Sequence, residues 1–454
     1  MRGVLFASAL SIVACQPPTP LAPVRIEIKE ETTRFVLPNG LEVIVQEDHR
    51  TPNVAVNLRY HSGSKNDPPG RAGMAHLVEH LQFTESQRTQ RDSFFRTMAA
   101  LGAREINGMT MSDATEYYET VPASQIEPVL WMEADRMESA RLGWSQTAID
   151  REKSVVGQEL RLRFQNEPNG FRHQLLSRAV YPEHHPYRRA LDEEAEERAS
   201  TPDELRDFAS RAYGPDNATL MLVGDVTGDR AKELVTRYFA TVPPRTATFA
   251  PMTIAPVERA AAKRVNVVAD VEDPVVYIAW PLPAPGDDGY YEAHYAIGTL
   301  EGYASYNADH EHKSVRPGSV SWGIVPARLG SIGYIYGTPA PGSSPDDLVD
   351  SIEVSRKRIV ARDLGTLAAH RSFYIATEVR AAEGLGERAQ RMQEYLELYG
   401  DAAYVMKDLK ALQAVTRDRM VAAVDQMLDL DRAVVVVVTP DHSAPRAGRV
   451  VSTV

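Results

Sequence analysis

Apolar positions in the first half of the chain repeat with two different periods. At Val54, Val56, Leu58 and Tyr60 they alternate, which predicts a half-buried strand over 54–60. Residues 35–37 and 41–46 are strand-like runs that flank Pro38-Asn39-Gly40, a hairpin signal. The period then lengthens to that of helices over 74–83, 92–101, 126–140 and 146–165. "NATLMLVGDV", residues 217–226, reads as a strand near the end of this unit. A second unit begins with "RVNVVADVEDPVVYIAWPLP", a predicted strand pair, followed by a helical pattern over 289–302. Near the C-terminus "DRAVVVVVTPD" repeats the pattern of "NATLMLVGDV" about 215 positions on, Ala433 against Ala218. This echo predicts an internal duplication. The Pro-, Ala- and Thr-rich residues 246–264 read as a linker between units 31–245 and 265–454.

Charge narrows the function. The 454 residues carry a formal charge of −12. A nucleic-acid binder concentrates Lys and Arg against phosphates, so that class is excluded, whereas basic peptides would be attracted. The single cysteine, Cys15, follows a short apolar run behind Arg2. Residues 1–14 fit a secretory signal, and Ile12-Val13-Ala14-Cys15 resembles the bacterial lipobox. Lipidation of Cys15 would anchor the mature chain to a membrane. Gln16, by resemblance to Gram-negative sorting, points to the periplasmic face of the outer membrane. Residues 15–30, rich in proline, read as a tether. No other run is apolar and long enough to span a bilayer.

The candidate chemistry lies in "GMAHLVEHLQF", residues 73–83. On a helix, His76, Glu79 and His80 share one face. Two imidazoles four residues apart can grip one Zn²⁺ at about 2.0–2.1 Å. Met74, Leu77, Val78, Leu81 and Phe83 leave little wet surface, so three ionisable groups here need partners. In "AIDREKSVVGQELRLRF", Glu152 and Glu159 are seven apart and share a helical face. Glu159 can complete a His-His-Glu set, and Glu152 can orient a ligand histidine.

The H-L-V-E-H string is the inverted-zincin signature. With "NGLEVIVQEDHRTPNVAVNLRYHSGS" before it and "ALGAREINGMTMSDATEYYETVP", "REKSVVGQEL", "HPYRRAL" and "YGPDNATLMLVGDV" after it, residues 31–245 resemble the pitrilysin/insulinase family of zinc metallopeptidases. The chain is similar to its short two-domain type, that of the mitochondrial processing peptidase subunits. The resemblance implies an α+β fold: two homologous domains, each a mostly antiparallel sheet packed with helices, forming half of a clamshell chamber. It implies that His76, His80 and Glu159 ligate one zinc per chain, that Glu79 is the general base activating water for attack on a peptide carbonyl, and that Glu152 supports the site. Asn107 matches a polar residue beside the bound peptide, which adds as a strand to a sheet edge. In the second domain Arg316 stands where the family has a substrate-holding arginine. Trp322 stands where it has a tyrosine, and Tyr334 and Tyr336 lie further on. His310 and His312 in "DHEHK" lack the helical spacing and a third ligand.

Three functions compete. The first is an endopeptidase on short or unfolded peptides, paired as a homodimer or with a sister subunit that supplies the missing clamp. The second is a zinc-binding assembly subunit without proteolytic activity. The third is a lipid-anchored binding protein in which the motif is incidental. The complete His76, Glu79, His80, Glu159 set favours the first.

Overall fold

The hairpin predicted around Gly40 opens the described part of the chain. The computed structural model describes residues 32–454 apart from 87, 90–92, 166–169, 171, 190–193, 311–314, 317–318, 363–366 and 447. Cys15, the signal and the tether lie outside it. Strands β1 (Thr32–Val36) and β2 (Glu42–Glu47) pair antiparallel, and Gly40 takes the left-handed φ of +97° that this tight turn requires. The Asn39 side chain donates to the carbonyls of Phe239 and Val242, pinning the turn to the end of helix Gly228–Phe239.

Strands β3 (Asn53–Tyr60), β4 (Arg104–Thr110), β5 (Thr115–Pro122) and β6 (Ala218–Gly224) complete a six-stranded sheet ordered β1-β2-β6-β3-β5-β4. A second sheet is formed by β7 (Arg264–Ala269), β8 (Val275–Leu282), β9 (Ser321–Val325), β10 (Ser331–Gly337), β11 (Val434–Pro440) and β12 (Arg449–Thr453), ordered β12-β7-β11-β8-β10-β9. The sequence β2-β6-β3-β5-β4 recurs as β7-β11-β8-β10-β9. Each sheet has one parallel pair, β2 with β6 and β7 with β11. The echo at Ala218 and Ala433 is therefore the repeat of a central strand, and the fold is the expected α+β duplication.

Strand β3 departs from its pattern. Alternation predicted one wet face, yet Ala55, Asn57 and Arg59 are as buried as Val54, Val56, Leu58 and Tyr60. The reason is a helix from the second half, Leu385–Tyr399. Its Ala389 and Met392 pack on Ile44, Ala55, Met221 and Val223. Helix Arg172–Val180 of the first half does the reciprocal, laying Leu175, Leu176, Ala179 and Val180 on Val265, Val267, Tyr277 and Ala279. Several polar groups on the covered face of β3 are matched, although the side-chain oxygen of Asn57 has no hydrogen-bond partner among the described residues. Arg59 pairs with Glu116 at 2.6 Å, Gln390 donates to Glu116, and Gln393 donates to the carbonyls of Asn57 and Thr219.

The helix expected over 146–165 is α-helical for Gln146–Leu160 and widens to a π turn over Arg161–Gln165. The one expected over 92–101 spans Phe94–Ala100, and the one over 289–302 runs on as Tyr290–His310. Residues 246–263 contain no helix or strand. Among the described residues no helix is long and apolar enough to cross a membrane.

Candidate metal centre

Helix Met74–Leu81 is set rigidly before any chemistry is considered. Met74, Leu77, Val78 and Leu81 are wholly buried in the first core. Its start is shaped by Gly73, left-handed at φ +89°, and capped by Asp67, whose carboxylate accepts the N–H groups of Gly73 and Ala75 at 2.8 Å each. What remains for the other face is His76 and His80, whose rings lie 4.8 Å apart and nearly perpendicular.

Helix Gln146–Leu160 packs against it and brings Glu159 to both imidazoles. Glu159 Oε2 is 3.2 Å from His80 Nε2, and Oε1 is 3.9 Å from His76 Nε2. Donors sharing a tetrahedral zinc stand about 3.3 Å apart, so this donor set fits that ion with modest adjustment at His76. The three side chains keep some exposure, 12%, 18% and 21% for His76, His80 and Glu159, which leaves room for a further ligand. Glu152 Oε2 sits 3.5 Å from Nδ1 of His80. It can hold the far ring nitrogen as donor and direct Nε2 inward. Arg151 holds its other oxygen at 2.9 Å.

Glu79 differs from Glu159 in its surroundings. It belongs to the tight group with His76 and His80, whose ligand atoms lie within 4.8 Å of one another, but it is buried and its Oε2 accepts Thr110 Oγ1 at 2.7 Å. Burial raises its pKa, against the opposing pull of His76, Thr110 and His80. Glu159 is held down at about 2 by its hydrogen bond from His80, with burial opposing and the charges of His76, His80 and Arg163 adding. Burial disfavours the charged form of His80, but Glu152, Glu159 and Glu79 outweigh it and lift the imidazole to about 10. The surroundings thus favour the anionic form of Glu159, whereas burial pushes Glu79 in the opposite direction.

The fold places His76, Glu79, His80, Glu152 and Glu159 close together. Asn107, on edge strand β4, lines the same cavity of about 590 Å³. Its side-chain oxygen accepts the N–H of Gly108 at 3.0 Å. Among the described residues every one lining this cavity lies between Ser64 and Gln174, in the first half. Arg316 is elsewhere, in a two-bond pair with Asp273 at 2.6 and 2.8 Å. Trp322 is on edge strand β9 with its ring perpendicular to His294 at 5.9 Å. Tyr334 and Tyr336 are on β10 below the guanidinium of Arg172. His312 lies outside the described residues, and His310 is described only as the last residue of its helix. Sequence reasoning did not single out Asp67, Thr110 or Arg163. Arg163, on the π turn, reaches Glu159 at 3.0 Å. Thr110 had one signal, its place three residues after Asn107 on the strand facing the motif.

The fold is that of the two-domain M16 peptidases. A protease from Helicobacter pylori superposes with a TM-score of 0.79 at 19% identity, covering 90% of this chain and 99% of that one. The first half of the periplasmic protease PqqL from Escherichia coli gives 0.70 at 18%, covering 90% and 92%. Residues 42–192 match Insulinase (Peptidase family M16), and residues 199–311 match the Peptidase M16 inactive domain. The chain belongs to peptidase family M16, the insulinase family. Over 205 residues it is 29% identical to the zinc protease PqqE of Helicobacter pylori, a match spanning 45% of this chain and 45% of that protein.

Proposed function

We propose that the chain is a zinc-dependent endopeptidase for short or unfolded peptides, with His76, His80 and Glu159 holding one Zn²⁺ and Glu79 acting as general base. The observation that carries this reading is the convergence of both histidine Nε2 atoms on the Glu159 carboxylate, with buried Glu79 beside them. Bound zinc supplies Lewis acidity to the scissile carbonyl and to water. Glu79 takes a proton from the attacking water and returns it to the leaving amine, a role suited to a carboxylate whose pKa burial has raised. Glu152 keeps His80 oriented. The free edge of β4 offers its backbone to an extended peptide beside Asn107. A periplasmic site of action rests on PqqL, a periplasmic protease of like fold, and anchoring to the outer membrane rests on Cys15 and the run before it.

The test is Glu79→Gln, which removes the proton acceptor and little volume. It should keep one zinc per chain by elemental analysis and lose peptide hydrolysis by a factor of about 10² or more. A variant with near-normal turnover overturns the mechanism.

A second reading concerns the partner. Among the described residues, those lining the metal cavity come from the first half, second-half residues enter only in the adjoining cavity, and Arg316 is engaged with Asp273. We propose that a second chain, a copy of this one or a sister subunit, completes the substrate clamp. A lone chain would then be a weak peptidase or an assembly subunit. Assaying the chain alone and mixed with a sister subunit at equal zinc tests this, and full activity of the monomer overturns it.

A further inference from the structure

The turns that end two equivalent hairpins of the duplicated fold touch each other. Residues 111–114 join β4 to β5, and residues 326–330 join β9 to β10. Asp113, in the first turn, is 7% exposed and receives three donors. They are Lys65 Nζ at 2.7 Å, Tyr187 OH at 2.7–2.8 Å to its two oxygens, and the backbone N–H of Arg328 at 3.2 Å. Tyr187 OH in turn accepts the N–H of Leu329 at 3.1 Å. One carboxylate therefore joins both turns.

The first turn is also held from behind. The carbonyls of Met111 and Ser112 accept the N–H groups of Ser64 and Lys65, each at 3.0 Å. Gly63 lies so close that a Cβ there would stand 2.2 Å from the Met111 carbonyl oxygen. Three residues before Asp113, Thr110 donates to Glu79. The path from the second half to Glu79 is thus one short, pinned length of chain: Arg328 N–H, Asp113, the turn, Thr110 Oγ1, Glu79 Oε2.

We propose that Asp113 is a positioning residue that fixes the β4–β5 hairpin against the second half and thereby sets the Glu79 carboxylate. The inference rests on Glu79 being the general base. Asp113 is not among the described residues that line the metal cavity; it lines the adjoining one. It acts by removing slack, and displacement of a reacting group by an ångström can lower a rate by about 10²-fold. A merely structural Asp113 would change stability and leave turnover of the folded protein intact.

The experiment uses the zinc-loaded full chain, with its partner if one is needed, on a peptide that the wild type cleaves. Asp113→Asn and Thr110→Val should each lower kcat by about 10-fold or more, with KM within about twofold and zinc still one per chain. The double variant should be no slower than the slower single one, because both act through one contact. Tyr187→Phe, a milder change that keeps the ring, should lower kcat in the same direction and reads the same contact if Asp113→Asn does not fold. Normal kcat in folded Asp113→Asn, or in Tyr187→Phe where Asp113→Asn does not fold, overturns the proposal, as does a double variant whose losses multiply. If the wild type cleaves and Glu79→Gln does not, such a result removes this inference alone. If Glu79→Gln cleaves normally, the base assignment falls and this inference with it.

Discussion

Glu397, on the helix that crosses from the second half, places its carboxylate 2.8 Å from Nδ1 of His61 at the end of β3, with the guanidinium of Arg328 3.0 Å from its other oxygen. The contact joins the halves through a carboxylate that is only 5% exposed.

This carboxylate gives the chain an acid limit. Burial works against its ionisation, but the hydrogen bond and charge of His61, with Lys65 and Arg328, hold its pKa at about 2 rather than the usual 4.5. A depressed folded-state pKa stabilises above the unfolded value. That stability is full above about pH 4.5 and is lost as pH falls towards 2, up to roughly 3 kcal/mol. Urea midpoints at pH 6 and pH 3 should show a smaller drop for Glu397→Gln than for the wild type, with the variant less stable at pH 6. Equal drops would mean that other carboxylates set the limit.

On the proposed zinc site, metal binding should depend on each imidazole. His80→Ala removes the ligand whose Nε2 is nearest to Glu159, and zinc after mild dialysis should fall from one per chain to a small fraction. Full retention would show that the ion sits elsewhere.

The buried Arg59–Glu116 pair predicts an asymmetry. Glu116→Ala strands a guanidinium with 3% exposure and should destabilise by about 3–5 kcal/mol, whereas replacing both residues with Met should cost markedly less. Denaturant titration of the three variants decides it, and a double variant as unstable as the single one refutes the pairing argument.

Met392 is 6% exposed between its helix and the first sheet. Met392→Ala should destabilise by about 2–4 kcal/mol. Because that helix belongs to the second half, the loss should appear in fluorescence from both halves at one shared midpoint. Two separated transitions would show that the halves unfold independently.

The candidate metal cluster was legible because its residues sit at helical spacings on two segments, His76 to His80 and Glu152 to Glu159, and spacing survives in sequence. The duplicated central strand was legible at Ala218 and Ala433 for the same reason. The second burial of β3 was not. Alternation records which side faces one core, and nothing local at Ala55 or Arg59 records a helix arriving from more than 300 residues away. Thr110 and Asp113 escaped because their importance lies in contacts across the fold, with Glu79 in one case and Arg328 in the other.

The exchanged helices bear on the chain's ancestry. A single half made alone would present Ile44, Ala55, Met221 and Val223 to water, since the helix that shelters them is encoded in the other repeat. A gene for one copy would therefore yield a chain in need of a twin, each lending its helix to the other. Fusion of two such genes turns an encounter between molecules into a permanent tether. From then on the repeats are free to diverge, one keeping the histidines and the other serving as its cover.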